Sequence, residues 1–145
     1  MVKGLKELKA SLAGIEKQFS DKLLRKANTK AAEPLVHEMH KRSPVGLTGN
    51  TAESIGIVNE KKTKELGAIG VGPRRGGNFK GFAGHLNEFG TKIRTTKGSG
   101  ANRGSMPRKP FVEPSWEAKK DVVLGRVTIE LSNEITKYLK RTVPK

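Results

Sequence analysis

Along the first forty residues, apolar side chains return at alternating steps of three and four. Leu5, Leu8, Leu12, Ile15 and Phe19 are followed by Leu23, Leu24, Ala27, Ala31, Leu35 and Met39. Such spacing lays one apolar stripe along a helix. Gly14 weakens that helix by about 1 kcal/mol relative to alanine, and Pro34 removes a backbone donor and crowds the carbonyl one turn back. The expectation is a long N-terminal helix, kinked or split near residues 18 and 30–34, that stops at Ser43-Pro44. The period then changes. Ile55, Ile57 and Val58 within residues 51–60, and "LGAIGVG" at 66–72, predict two short strands joined by the polar "NEKKTKE". A third run, "FAGHLNEF" at 82–89, lacks clean alternation and fits either a strand or one helical turn. From Pro114 the helical spacing returns in Trp116, Val123, Val127, Leu131, Ile135 and Tyr138 or Leu139. Pro114 suits a first turn, where its missing N–H costs nothing. Glu113, Glu117 and Asp121 at one end and Lys137, Lys140 and Arg141 at the other match the helix dipole.

The fold class these elements predict is α+β: a long N-terminal helix, a small antiparallel sheet, a C-terminal helix and a long basic Gly-rich loop, in one domain over residues 1–145. Between helix and sheet stands "SPVGLTGNTAESI" (43–55). Pro44 forbids helix at Ser43, Gly46 and Gly49 admit turn conformations closed to other residues, and Thr48 is placed to hydrogen-bond nearby backbone. The stretch reads as a corner that converts helix to strand in little space.

Composition narrows the partners. Leu, Ile, Val and Phe make up about 23% of the chain, just above the roughly 20% below which chains stay disordered. The core is thin, and stability leans on neighbouring subunits. The net charge of +15 attracts polyanions and acidic protein surfaces. With no cysteine, disulfides and thiolate metal sites are excluded. No apolar run reaches the ~18 residues of a membrane span, and the amphipathic "MVKGLKELKASL" lacks a signal-peptide core. Synthesis and assembly in a cytoplasm are expected. Between Pro73 and Pro110 the cations Arg74, Arg75, Lys80, Lys92, Arg94, Lys97, Arg103, Arg108 and Lys109 face Glu88 alone. A loop as long and as polar as 92–109 is either mobile or made for a partner. Glu88, the lone acid, is expected to pair with Arg94, Arg108 or Lys109.

Catalytic motifs fail on spacing. "HEMH" (37–40) sets its histidines three apart, where the metalloprotease helix needs four. "GVGPRRGG" follows a predicted strand, but no helix follows it to receive a pyrophosphate. Ser43 and Ser54 sit in no nucleophile elbow, and His85 has no oriented acid to complete a triad. No catalytic, cofactor or metal residue is assigned. Nucleic acid is the stronger alternative: a Lys/Arg loop neutralises phosphates without special geometry, although Phe79, Phe82 and Phe89 look more like core than stacking platforms.

Three punctuated stretches remain: "SPVGLTGNTAESI", "HLNEFGT" (85–91) and "MPRKPFVEPSW" (106–116). In this order and at this spacing they resemble the neck and tail-completion family of long-tailed bacteriophages. The chain departs from that pattern where "NTAE" replaces a leucine and a basic residue, where Phe82-Ala83 replaces Tyr-Ala, and in its long insert from Lys92 to Arg108. The resemblance implies a non-catalytic virion subunit, made in the host cytoplasm, that assembles as a ring, a hexamer, where the DNA-filled head meets the tail or at the tail's upper end. It implies neighbouring head-closure, tail-terminator or tail-tube proteins as partners, and non-specific contact with channel DNA. Pro44, Thr48 and Gly49 would form its structural turn, and Glu88, Phe89, Gly90 and Thr91 its third-segment motif. Phe111 between Pro110 and Pro114 is either an apolar anchor or an ordinary core phenylalanine. Lys92, Arg94, Lys97, Arg103, Arg108 and Lys109 would meet DNA or protein. The competing reading is a basic nucleic-acid-binding protein acting free in the cytoplasm.

Overall fold

The computed structural model describes residues 21–58 and 66–142. The apolar stripe over residues 5–19, the break near residue 18 and the connection "NEKKTKE" lie outside the described residues. Helix α1 runs Asp21–Ala31 and α2 Glu33–Arg42. The interruption falls where Pro34 requires it: the second helix restarts from Ala32, whose carbonyl accepts from the N–H of Leu35 and Val36. The split expected near 30–34 is therefore present.

The C-terminal helix α5, Val112–Thr142, is the longest element. It runs antiparallel to the first two. Lys30 meets Glu130 at 3.2 Å, Lys26 meets Glu134 at 3.2 Å, and further along Lys119 approaches Glu38 at 3.8 Å. Ala27 and Ala31 are fully buried on the inner face of α1, and side chains this small let the two helices approach closely. Between α2, α5 and the sheet lies a core of Leu35, Met39, Ile55, Phe111 and Val123, edged by Val36, Val71, Val112 and Val127. The predicted stripe on α5 holds for Val123, Val127, Leu131 and Ile135. Trp116, predicted to begin that stripe, is instead 41% exposed.

Strands β1 (Ile55–Val58) and β2 (Gly70–Pro73) pair antiparallel, with Ile57 opposite Val71 and Ile55 opposite Pro73. The lead-in to β2 is fastened to α1. Asp21 accepts from the Gly67 N–H at 2.9 Å, Asn28 donates to the Gly67 carbonyl at 2.8 Å, and Arg25 donates to that of Ala68 at 2.7 Å. Gly67 has φ +75°, and a Cβ there would lie 2.5 Å from that of Leu24. Only glycine fits.

The corner differs from expectation in one respect. Residues Asn50–Ser54 form a helical turn, α3, before the strand begins at Ile55. Gly49 takes a left-handed φ of 63°, and its carbonyl accepts from the Glu53 N–H while the Ser54 hydroxyl caps the Thr51 carbonyl. The Thr48 side chain makes no backbone hydrogen bond among the described residues; the reversal is held by the Gly49 N–H to the Gly46 carbonyl. After β2 come a two-rung ribbon, β3 (Arg75–Gly76) and β4 (Phe79–Lys80), and a 3-10 turn over Gly81–Ala83. The ambiguous third run is then helical: α4, Gly84–Phe89.

Candidate functional site

The three motif stretches converge on α4. On one side, the corner residues Pro44 and Thr48 share an open groove of about 390 Å³ with Ala83, Asn87, Pro107 and Lys109. Asn87 donates to the Thr51 hydroxyl at 3.4 Å, and the Lys109 N–H donates to the Asn87 carbonyl at 2.7 Å.

At the centre is Glu88, 6% exposed. One carboxylate oxygen accepts from the N–H groups of Phe111 at 2.7 Å and Val112 at 3.0 Å, and the other from Glu113 at 3.1 Å. The first turn of α5 is thereby complete. Val112 and Glu113 donate to Glu88, Pro114 has no N–H, and Ser115 donates to the Phe111 carbonyl. A side chain 23 positions upstream supplies the cap that helices ordinarily take from their own N-terminal neighbour. Burial is the largest single influence on this carboxyl and raises its pKa. The hydrogen bonds from Val112, Phe111 and Glu113, with the nearby Arg108 guanidinium, together outweigh it and hold the group below the ordinary carboxylate range.

The expected ion pair of Glu88 with Arg94, Arg108 or Lys109 is not how the segments join. Its carboxylate serves the helix, and Arg108 donates instead to the Glu88 backbone carbonyl at 3.2 Å and meets the Glu113 carboxylate at 3.5 Å. Gly90 explains itself by proximity: at φ +70°, a Cβ would stand 2.9 Å from the Met106 carbonyl oxygen. Thr91 closes the junction, its N–H donating to the Met106 carbonyl at 3.0 Å and its hydroxyl accepting from the Met106 N–H at 2.8 Å. Phe111 is fully buried in the core cluster, flanked by Pro110 and Pro114.

From that junction residues 92–105 project as an arm. Although the sequence offers little to bury there, the backbone closes on itself. Arg94 donates to the Gly104 carbonyl, Arg103 to that of Arg94 and Thr96 to that of Ala101, around a Thr95–Asn102 bridge. Arg103 also reaches the Thr96 hydroxyl at 2.7 Å. Lys92, Arg94, Lys97, Arg103, Arg108 and Lys109 are all exposed on or beside this arm. Arg74, by contrast, is absorbed by the fold: it donates to the Ser54 carbonyl at 3.0 Å and lies 3.5 Å over the Phe79 ring.

On the other flank of α4 is an open, mainly apolar pocket of about 640 Å³, bounded by Pro73, Gly84, His85, Phe89, Val112 and Trp116. Phe89 is 73% exposed at its rim. His85 and Arg75 meet at 3.0 Å beside it. Sequence analysis set His85 aside as a catalytic base and placed Trp116 on the buried stripe of the last helix; the structure brings both to this pocket.

Residues 6–90 match the protein family described as "Bacteriophage HK97-gp10, putative tail-component". The chain belongs to this HK97-gp10-like family. No curated protein and no solved structure matches it. Membership makes the HK97-gp10-like chain a structural component of the phage virion, in contact with other virion proteins, and agrees with the neck and tail-completion resemblance. The matched stretch ends just past Glu88, so the arm and α5 lie beyond it, and the Glu88 clasp ties the two parts together. Among the described residues no helix is long and apolar enough to cross a membrane.

Proposed function

We propose that the protein is a non-catalytic ring subunit, six copies to the ring, that completes the tail where it joins the DNA-filled head. It is made in the host cytoplasm and contacts head-closure, tail-terminator or tail-tube proteins. The observation that carries this reading is the apolar surface left uncovered around α4: Leu47, Phe82, Phe89 and Trp116 are exposed in a chain whose core is small. Phe89 and Trp116 share one open, mainly apolar pocket, and exposed apolar surface of this kind marks a protein interface. The experiment is reconstitution. Tails assembled without this protein should gain head-joining activity on adding the purified chain, and a ring should be visible at the junction. Tails that join heads equally well without it would refute the proposal.

The arm favours a second contact. Its four cations, with Arg108 and Lys109 beside it, face DNA in the channel or the adjacent ring, and no acid interrupts the segment from Phe89 to Val112. Salt separates this from the free nucleic-acid-binding reading. Ring assembly between copies of charge +15 strengthens as salt screens their repulsion, whereas DNA affinity falls steeply with salt. A chain that stays monomeric at every salt concentration yet binds DNA tightly at low salt would favour the free binder.

A further inference from the structure

Two unpartnered apolar features lie on opposite flanks of α4. The first is convex. Val45 and Leu47 crown the corner, and both are exposed, Leu47 fully so. The second is concave: the pocket walled by Pro73, Phe89 and Trp116, open to solvent.

The charges beside them are opposite. Glu53, exposed on α3, has its carboxylate close to Gly49 at the base of the corner and forms no ion pair among the described residues. Arg75, exposed at the pocket rim, donates to His85 and forms no ion pair among the described residues. The corner does not fill the pocket of its own subunit, because it packs along the Ala83 and Asn87 side of α4 while the pocket opens on the Gly84, His85 and Phe89 side.

We infer that the corner of one copy plugs the pocket of the next: Val45 and Leu47 enter between Phe89 and Trp116, and Glu53 pairs with Arg75 across the seam. This rests on the ring reading and names its contact. A head-to-tail contact between different patches is the kind that closes into rings, whereas a patch meeting its own copy stops at a dimer. The pocket, about 640 Å³, is wide enough for two aliphatic side chains, and its exposed lining is mainly apolar, with Arg75, His85 and Glu113 at its edge.

The chain has no cysteine, which makes the test direct. Chains carrying Leu47→Cys, Phe89→Cys or both are oxidised at a concentration where the unmodified protein is also sized by sedimentation. Both positions are exposed, so folding does not depend on them. The double variant should give a covalent ladder ending at the ring, and neither single variant should. A separate Leu47→Asp variant should associate about a hundredfold more weakly, since it removes a buried leucine from the seam. It should regain one contact, as a 1:1 dimer, when mixed with Phe89→Asp, which retains an intact corner but has lost its pocket. If the unmodified protein is multimeric and the double variant gives no ladder, the corner-to-pocket contact is wrong and the ring stands. Dimers from a single variant would also refute it, by showing a patch meeting itself. An unmodified protein that neither multimerises nor enters tails overturns both.

Discussion

Glu88→Gln tests whether a carboxylate near the end of the family-matched segment holds the last helix in place. The substitution keeps size and one acceptor. Its carbonyl oxygen can still serve the Phe111 and Val112 N–H groups, but its amide nitrogen then faces the Glu113 N–H, donor against donor. Losing one charge-assisted bond and the negative charge at a helix N-terminus should cost about 2 kcal/mol. Glu88→Ala strands all three donors, one of them on fully buried Phe111, and should cost about 4 kcal/mol. For a chain this size the two variants should melt about 6 and 12 °C below the parent at pH 7. The pH dependence follows from the lowered pKa. A carboxyl held below its unfolded value stabilises the fold fully above the ordinary carboxylate range, and that contribution is lost as pH falls through the folded value. The gap between parent and Glu88→Gln should therefore shrink as pH drops from 7 to about 3. Thermal melts followed by circular dichroism read both quantities. A glutamine variant melting within about 1 °C of the parent at pH 7, or a gap that does not change with pH, would refute the capping account.

Other outcomes are equally specific. Gly90→Ala should cost about 2 kcal/mol through its left-handed backbone and the contact with the Met106 carbonyl, and should speed tryptic cleavage between Lys92 and Arg108; unchanged cleavage would mean the junction does not depend on that approach. Phe111→Ala, emptying the most buried large side chain, should lower stability by about 3–5 kcal/mol in urea titration, and a loss under about 1 kcal/mol would contradict its place in the core. Glu134→Gln should loosen α1 from α5 by removing the carboxylate that Lys26 and Lys30 of α1 meet. The loss should be about 1 kcal/mol and smaller at high salt, whereas a salt-independent loss would point to packing instead.

Much of the architecture was legible because it rests on period and punctuation. The stripe through Ala27, Ala31, Leu35 and Met39, the interruption at Pro34 and the two short strands around Ile57 and Val71 each follow from local rules. The turn at Asn50–Ser54 was not, because four of its five residues are polar and its conformation is set by Gly49 and the Ser54 hydroxyl rather than by periodicity. Trp116 was misplaced because helical spacing gives a face but not what covers it, and α4 leaves that end of α5 open. The segment 92–105 read as irregular since it has almost no apolar content; its closure depends on backbone pairing and threonine hydroxyls, which no hydrophobic pattern reports. For Glu88, charge arithmetic suggested a cationic partner. Tertiary structure offered three backbone donors instead, a choice visible only once Phe111 to Glu113 are brought alongside.

The arm is fastened at its base, where Thr91 and Met106 bond to each other, and at its tip Gly98 and Gly100 take left-handed backbone. No residue from Lys97 to Gly100 contributes to the core. The tip can thus be rewritten by mutation without disturbing the scaffold, so an HK97-gp10-like chain could change what its fingertip recognises while keeping every hydrogen bond that holds the palm.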